Sequence, residues 1–129
     1  FCVIMIDLDY FKRINDALGH LEGDRVLKEI TAATQVLMRA SDVLCRWGGE
    51  EFIILAHNCN AASAVTLAEK IRRTIEATNF GIDTDQRFVT LSGGVTEVLS
   101  SDGVKDIIHR ADAALYQAKH QGRNCIRQA

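Results

Sequence analysis

The sequence predicts a mixed α/β (α+β) domain in which helices flank a mainly antiparallel sheet. Short segments rich in Val, Ile and Leu indicate strands, and longer segments with apolar residues at helical spacing indicate helices. Along the chain these segments follow the order strand, helices, hairpin, helix, strand, helix, strand. The order strand–helix–strand–strand–helix–strand is the split arrangement of ferredoxin-like and polymerase-palm folds, with helices over one or both faces of the sheet.

The first elements are a strand and two helices. Residues 3–8 are nearly all apolar, which predicts a strand buried on both faces. A short helix is expected over residues 10–18. Gly23-Asp24 is expected to open a longer helix that continues to Arg39, since Asp suits a helix N-terminus.

A hairpin is predicted in the middle of the chain. Segments 43–47 and 51–56 have strand composition and flank Gly48-Gly49. A glycine pair between two strands is typical of a two-residue turn with positive φ. We therefore expect a tight hairpin at this place.

The second half repeats the alternation of helix and strand. The remaining predicted elements are a helix, a long strand, a last helix and a closing strand, over residues 64–75, 88–99, 104–118 and 125–127 respectively. The long strand contains Gly93-Gly94, and such a pair marks either a bulge or a close approach of another backbone.

Length and charge limit the range of functions. The 129 residues fit one domain. Because the chain opens within a predicted strand and without Met, we expect residues 1–129 to be one domain of a longer protein. Fifteen Lys and Arg against 17 Asp and Glu give a net charge of −2, which provides no overall attraction for nucleic acid or anionic lipid.

The cysteines and histidines suggest neither disulfides nor zinc. The four cysteines form no CxxC pair, and the four histidines have no ligand spacing with them. No apolar stretch approaches 18 residues. A reduced, cytoplasmic domain is expected, with membrane anchoring left open for an upstream segment.

Acidic residues provide the strongest chemical signal. Asp7 and Asp9 end an otherwise apolar strand, where carboxylates are costly unless they meet a cation or a donor; a solvated strand end is the alternative. Glu50 and Glu51 follow the glycine turn directly. If the first strand and the hairpin are neighbours in the sheet, Asp7 and Glu50 offer the oxygen ligands that Mg²⁺ takes together with phosphates.

Phosphate binding would need isolated cations, because the chain has neither a P-loop nor a GxGxxG motif. Lys12, Lys119 and Arg123 are the candidates. Each could equally be a solvated surface charge.

Four motifs, in order, closely resemble the GGDEF family of diguanylate cyclases over the whole chain. They are the run 6–16, the pair Gly19-His20 with Gly23-Asp24, the run 46–52, and the segment 110–119 with 122–124. The resemblance implies condensation of two GTP molecules into cyclic di-GMP. It also implies Mg²⁺, with Mn²⁺ as the alternative cation, and a homodimer, because one site holds one GTP. The resemblance implies an upstream sensory or regulatory domain in the full protein. It does not imply a nucleic-acid partner.

The resemblance also assigns roles to residues of this sequence. The implied catalytic and metal-binding residues are Asp7, the Leu8 carbonyl, Glu50 and Glu51. The implied GTP-binding residues are Asn15 and Asp24 for guanine, Lys12, Lys119 and Arg123 for the triphosphate, and Gly48 and Gly49 beneath the nucleotide.

An inhibitory product site is implied by Arg39 and Asp42, which match the family's RxxD motif in spacing and position. Many members add an arginine in the next helix, where this chain has Lys70. The alternative is an ordinary helix C-terminal Arg stabilised by the helix dipole.

Two other functions are weighed against an active cyclase. One is a catalytically silent receptor for GTP or cyclic di-GMP, and the other is a palm-fold relative that acts on another nucleotide. The intact run Gly48-Gly49-Glu50-Glu51 favours an active cyclase, and Asn15 and Asp24 favour guanine.

Overall fold

The computed structural model describes residues 1–82 and 88–129, which form one five-stranded sheet with four helices. The elements are β1 Cys2–Leu8, α1 Phe11–Leu18, α2 His20–Leu37, β2 Val43–Arg46, β3 Glu51–Ala56, α3 Ala61–Ala77, β4 Leu91–Glu97, α4 Val104–His120 and β5 Ile126–Gln128. None of the helices in these described residues has the length and apolarity to cross a bilayer.

The strand order is β2-β3-β1-β4-β5, with β1 in the centre. β1 runs antiparallel to β3 and β4, β2 runs antiparallel to β3, and β5 runs parallel to β4. The predicted fold class is thereby confirmed. The register places Asp7 opposite Glu51 on one side and Ser92 on the other. The end of β1 therefore lies directly beside the hairpin.

Both faces of the sheet are covered, which explains the continuous apolar run of β1. Alternate β1 residues point to opposite faces. One set packs with α1, α2 and α3 and comprises Cys2, Ile4, Ile6 and Leu8. The other set includes Val3 and Met5, which pack with α4 through Ala111 and Leu115.

The predicted start of α2 was wrong. The helix begins at His20, so Gly23 and Asp24 lie inside it. A Cβ on Gly23 would lie 1.7 Å from Oδ1 of Asn15. Gly23 therefore leaves room for the Asn15 side chain of α1, which a larger residue would displace, and it does not open the helix. The predicted helix end was also late, because Met38 is already extended (φ −87°, ψ 153°).

The hairpin is present, but its predicted two-residue turn was wrong. The Trp47 N–H donates to the Glu51 carbonyl at 2.8 Å, which leaves a three-residue loop of Gly48, Gly49 and Glu50. Within residues 1–82 and 88–129 the glycines with positive φ are Gly19, Gly81 and Gly122, and not those of the loop. Positive φ is a requirement of the two-residue type I′ and II′ turns, and this loop is of neither type.

Gly94 permits a close approach of α4 to β4. A Cβ there would lie 2.2 Å from the Ala111 carbonyl oxygen and 2.5 Å from the Leu115 nitrogen. β4 pairs with β1 residue by residue and without a bulge. Of the two alternatives for Gly93-Gly94, a bulge or a close backbone approach, the close approach is confirmed. The strand itself, Leu91–Glu97, is shorter than the predicted 88–99.

An ion pair fastens the loop before α4 to the helix. The Arg110 guanidinium donates two hydrogen bonds to the Asp102 carboxylate, at 2.7 and 2.6 Å, and a third to Thr96 Oγ1 at 3.0 Å. Arg110, followed by the Leu99 N–H, lowers the pKa of Asp102 from 3.8 to about 2. Asp102 therefore releases its proton more readily in the folded protein than in the unfolded chain, so its ionised form stabilises the fold.

Asp102→Asn is expected to lower the unfolding temperature at pH 7 by several degrees, because the variant loses this charge-assisted pair. A carboxylate with a depressed folded pKa stabilises above its unfolded value and loses that contribution on acidification. The difference between variant and parent should therefore narrow as the pH falls from 3.8 to about 2. Thermal unfolding at several pH values, with the exposed Asp112→Asn as control, checks this. A pH-independent difference would contradict it.

Candidate functional site

A cleft of about 520 Å³ opens between the α1–α2 pair and the hairpin loop. Its lining residues are Phe11, Asn15, His20, Asp24, Leu27, Arg46, Gly48, Gly49, Glu50 and Glu51. The fold thus brings together both residues predicted for guanine, both glycines of the loop and both of its glutamates. They come from three separate parts of the chain.

Asp7 stands at the end of β1 beside this cleft. Its side chain is 7% exposed, and Oδ2 accepts a hydrogen bond from Lys119 Nζ. The other oxygen, Oδ1, is buried and has no hydrogen-bond partner among the described residues. Next to it, the Leu8 N–H donates to the Glu50 carbonyl at 3.1 Å, which fixes the hairpin loop against the end of β1.

The carboxylate of Glu50 lies in a field of like charge. Burial raises its pKa, and the negative charge of Asp7 raises it further, whereas Lys119 opposes the shift. Two carboxylates in each other's field are stabilised together when a cation joins them. The electrostatics of this corner therefore favour a bound cation.

The donor set fits a hard divalent cation. A buried carboxylate oxygen without a partner is costly, and a metal ion would satisfy it. Within the described ranges, no three His, Cys, Asp or Glu side chains converge on one metal position. Mg²⁺ does not require them, because it commonly binds one or two carboxylates together with substrate phosphates.

Asp9 differs sharply from Asp7. Its carboxylate is 1% exposed and accepts hydrogen bonds from Thr90 Oγ1 at 2.8 Å, Ser92 Oγ at 2.7 Å and the Asn124 N–H at 3.0 Å. A carboxylate at a buried strand end was expected to meet either a cation or a hydrogen-bond donor. Asp7 pairs with the cationic side chain of Lys119 and keeps one free oxygen. Asp9 instead accepts hydrogen bonds from neutral donors on both oxygens.

Four cleft residues were not predicted from the sequence: the apolar Phe11 and Leu27, and the polar His20 and Arg46. Arg46 donates from Nε to the Gly48 carbonyl at 3.1 Å and from Nη2 to the Gly49 carbonyl at 2.8 Å, so it holds the loop in place. His20 and Arg46 lie inside the motifs that carry the family resemblance. Their positions, directly after Gly19 and two residues before Gly48, could have indicated that they line the site.

The three predicted phosphate-binding residues, Lys12, Lys119 and Arg123, differ in how close they lie to the acidic site. Lys119 contacts Asp7 directly. Arg123 lies with its guanidinium carbon 4.8 Å from the centre of the Tyr10 ring, and its charge acts on Glu50. Lys12 is exposed on α1 and makes no side-chain hydrogen bond or ion pair in the part of the chain that the structure describes. It does not line the cleft.

Arg39 and Asp42 form a closed turn after α2. The Asp42 carboxylate accepts from the Arg39 N–H at 2.9 Å and from its guanidinium at 3.4 Å. The guanidinium also donates to the His57 carbonyl at 2.6 Å and remains 54% exposed. Arg39 directly follows Met38, the C-cap residue of α2. Lys70 is exposed on α3.

Comparison with known proteins places these features in a family context. Residues 1–125 match the sequence profile of the family described as "Diguanylate cyclase, GGDEF domain". Diguanylate cyclase A of Treponema denticola is 42% identical over 125 residues, which are 96% of this chain and 34% of that protein. The chain spans between 18% and 38% of the length of the curated relatives it matches.

Solved structures agree in fold. The active GGEEF domain of a diguanylate cyclase from Vibrio cholerae is similar with a TM-score of 0.89 and 38% identity, covering 98% of this chain and 81% of that one. The GGDEF domain of DgcB from Caulobacter crescentus, in complex with c-di-GMP, is similar with a TM-score of 0.90 and 30% identity, covering 98% and 76%.

Proposed function

The chain belongs to the GGDEF family of diguanylate cyclases, and we propose from this that it condenses two molecules of GTP into cyclic di-GMP and releases pyrophosphate. The observation that carries the proposal is the free, buried Oδ1 of Asp7 in the field of Glu50. A carboxylate pair of this kind, next to a cleft of nucleotide size, suits the binding of a metal–triphosphate.

The guanine base is assigned to the cleft. Asp24 would accept hydrogen bonds from the N1 and N2 hydrogens of guanine, and Asn15 would complete the recognition of this edge. Adenine offers no such pair of donors on that edge. The loop Gly48-Gly49 lines the same cleft, and its small residues let a nucleotide approach the backbone closely.

The triphosphate is assigned to the corner between β1, the hairpin and the end of α4. Asp7, the Leu8 carbonyl, Glu50 and Glu51 would hold Mg²⁺ or Mn²⁺. Such a cation neutralises phosphate charge and polarises the α-phosphate for attack. Lys119 and Arg123 add positive charge, and we retain Lys12 as a third cation although it lies outside the cleft.

The reaction needs two facing protomers. A 3′-hydroxyl oxygen loses its proton and forms a phosphodiester bond to the α-phosphorus of the other nucleotide, while the bond from that phosphorus to the bridging oxygen breaks and pyrophosphate leaves with the electron pair. Two such attacks close the ring. One cleft holds one GTP, so the second nucleotide comes from a second copy of the chain.

Product identification tests the proposed function. The chain is incubated with Mg²⁺ and either GTP or ATP, and the products are separated by chromatography, with chelator-treated samples as controls. Cyclic di-GMP formed from GTP alone is the expected result. Binding of GTP without any product would indicate a silent receptor, and a product from ATP would indicate a different nucleotide cyclase.

Turnover per chain is expected to rise with protein concentration, because a lone protomer cannot supply both nucleotides. Well below the dimer dissociation constant the rate per chain should change about in proportion to concentration. Initial rates over a dilution series, paired with sedimentation at the same concentrations, measure this. A constant rate per chain where only monomer sediments would refute the dimer requirement.

Product inhibition is proposed at Arg39 and Asp42, with Lys70 as a weaker third contact because Lys lacks the bidentate fork of Arg. Asp42 and His57 hold the Arg39 guanidinium in an exposed position, where it could bind a phosphate or a guanine edge. Arg39→Ala should keep the initial rate and weaken cyclic di-GMP binding about tenfold or more.

Isothermal titration with cyclic di-GMP gives the affinity directly. Arg73→Ala is a suitable control, since that arginine is 75% exposed on α3 and pairs weakly, at 3.7 Å, with Glu69. Equal product affinity in the parent and in Arg39→Ala would show that the turn has a structural role alone.

A further inference from the structure

The turn after α4 contains two consecutive non-glycine residues in the left-handed region. Arg123 has φ 65° and Asn124 has φ 46°. This conformation is unfavourable for L-residues in general, less so for Asn than for Arg. The turn must therefore be held by contacts with its surroundings.

Asn124 is held from two sides. Its backbone N–H donates to Asp9 Oδ2 at 3.0 Å. Its side chain accepts from Arg72 Nη1 at 2.9 Å and donates to Glu76, so α3 supports the outer side of the turn. Arg72 is itself fixed by Glu69, with 3.1 Å between Nη2 and Oε2.

Asp9 supports the inner side and is anchored in the sheet. Thr90, just before β4, donates a hydrogen bond to Oδ2, and Ser92, in β4, donates one to Oδ1. Arg123 Nη1 lies 3.9 Å from Asp9 Oδ1. The next residue, Tyr10, presents its ring to the same guanidinium. Asp9 thus contacts both the backbone of the turn, through Asn124, and the side chain of Arg123, whose own N–H donates to the Ala118 carbonyl at 3.0 Å.

We infer that Asp9 is a positioning residue for phosphate binding: its buried carboxylate holds the Arg123–Asn124 turn, and thereby the Arg123 guanidinium, near Glu50. The inference rests on the proposed function, in which Arg123 contacts the triphosphate. It separates the two aspartates of the Asp7-Leu8-Asp9 run. Asp7 has the free oxygen for a cation, whereas both oxygens of Asp9 are already bound by protein donors.

Asp9→Asn is the informative change because it keeps the size of the side chain and replaces one acceptor oxygen by an NH₂ group. One orientation of that amide points the NH₂ group at the Asn124 N–H, and the other points it at Ser92. In either case the carboxylate charge near Arg123 is lost. We expect GTP affinity in Mg²⁺, measured by titration calorimetry, to fall about tenfold.

A double-mutant cycle with Arg123→Ala decides whether Asp9 acts through Arg123. If it does, each single variant loses affinity, and the double variant loses no more than Arg123→Ala alone. Additive losses would overturn the inference. Ser92→Ala is the matched control, because it removes a buried hydrogen bond of Asp9 and leaves the turn contact. It should lower the unfolding temperature but keep GTP affinity within about twofold.

Metal binding provides a second readout without nucleotide. Mn²⁺ titration followed by electron paramagnetic resonance should show similar affinity in the parent and in Asp9→Asn. A loss in Asp9→Asn equal to that in Asp7→Asn would make Asp9 a ligand and overturn the positioning role.

If Asp9→Asn does not fold, Arg72→Met replaces it in the cycle with Arg123→Ala, since it weakens the same turn from α3. A folded parent that fails to bind GTP would refute the proposed function together with this inference. A parent that binds GTP but shows additive losses would refute the positioning role alone.

Discussion

Asp7→Asn and Glu50→Gln are each expected to lower cyclic di-GMP synthesis by about a thousandfold or more. Each removes one carboxylate of the proposed cation site, and a bound metal contributes several kcal/mol to charge stabilisation in phosphoryl transfer, where about 1.4 kcal/mol is tenfold in rate. Neither side chain belongs to the apolar core. The loss should therefore be one of chemistry and not of folding.

Thermal unfolding separates these two causes. Glu50→Gln removes a carboxylate whose pKa is raised by burial and by Asp7, so the unfolding temperature should stay constant or rise. Asp7→Asn relieves the same repulsion but leaves Lys119 without its charged partner. Asp112→Asn, an exposed carboxylate on α4, is the control for a general effect of charge. Unchanged synthesis in a folded Asp7→Asn or Glu50→Gln would refute the metal assignment.

The position of Asp7 beside the hairpin glutamates follows from the hydrophobic pattern and the order of elements in the sequence. An apolar run of strand length must be covered on both faces, and a strand of that kind is central in a split sheet. A central β1 can pair with a strand of the hairpin, which brings the end of β1 beside the hairpin loop. The pairing of Asp7 with Glu51 agrees with that expectation. Periodicity and topology permitted this adjacency, and the strand pairing confirms it.

The different roles of Asp7 and Asp9 were not predictable in the same way. They depend on which donors reach each carboxylate, and the donors to Asp9 are 81, 83 and 115 residues away along the chain. No local pattern of residues encodes such contacts. Asp9 has the same residue type and almost the same local sequence as Asp7, yet β4 and the turn after α4 satisfy it completely.

Local turn rules failed where tertiary contacts set the backbone. Gly23 matched a helix start, but it lies inside α2, where it leaves room for the Asn15 side chain. Gly48-Gly49 matched a two-residue turn, but a three-residue loop held by Arg46 forms instead. In both cases a local rule for glycine predicted a helix start or a turn that does not form.

Asp24→Ala is expected to remove most of the preference for guanine, by about a hundredfold. A site built to pair with the hydrogens of one base leaves buried groups unpaired when another base enters, and this produces the discrimination. Asp24 lines the cleft but is exposed, and the described residues give its side chain no hydrogen bond or ion pair. Its carboxylate is free for a ligand, and its loss should leave the unfolding temperature unchanged.

Three nucleotides make this test specific for the Asp24 carboxylate. GTP, ATP and inosine triphosphate, which lacks the 2-amino group, are titrated in Mg²⁺ against the parent and against Asp24→Ala. The parent should bind GTP more tightly than inosine triphosphate, because the carboxylate loses one donor, and ATP most weakly. Asp24→Ala should bind all three with similar affinity, since the triphosphate contacts remain. Asp16→Ala, an exposed aspartate on the adjacent α1, controls for charge near the cleft. Full discrimination retained by Asp24→Ala would assign guanine recognition to other residues of the cleft.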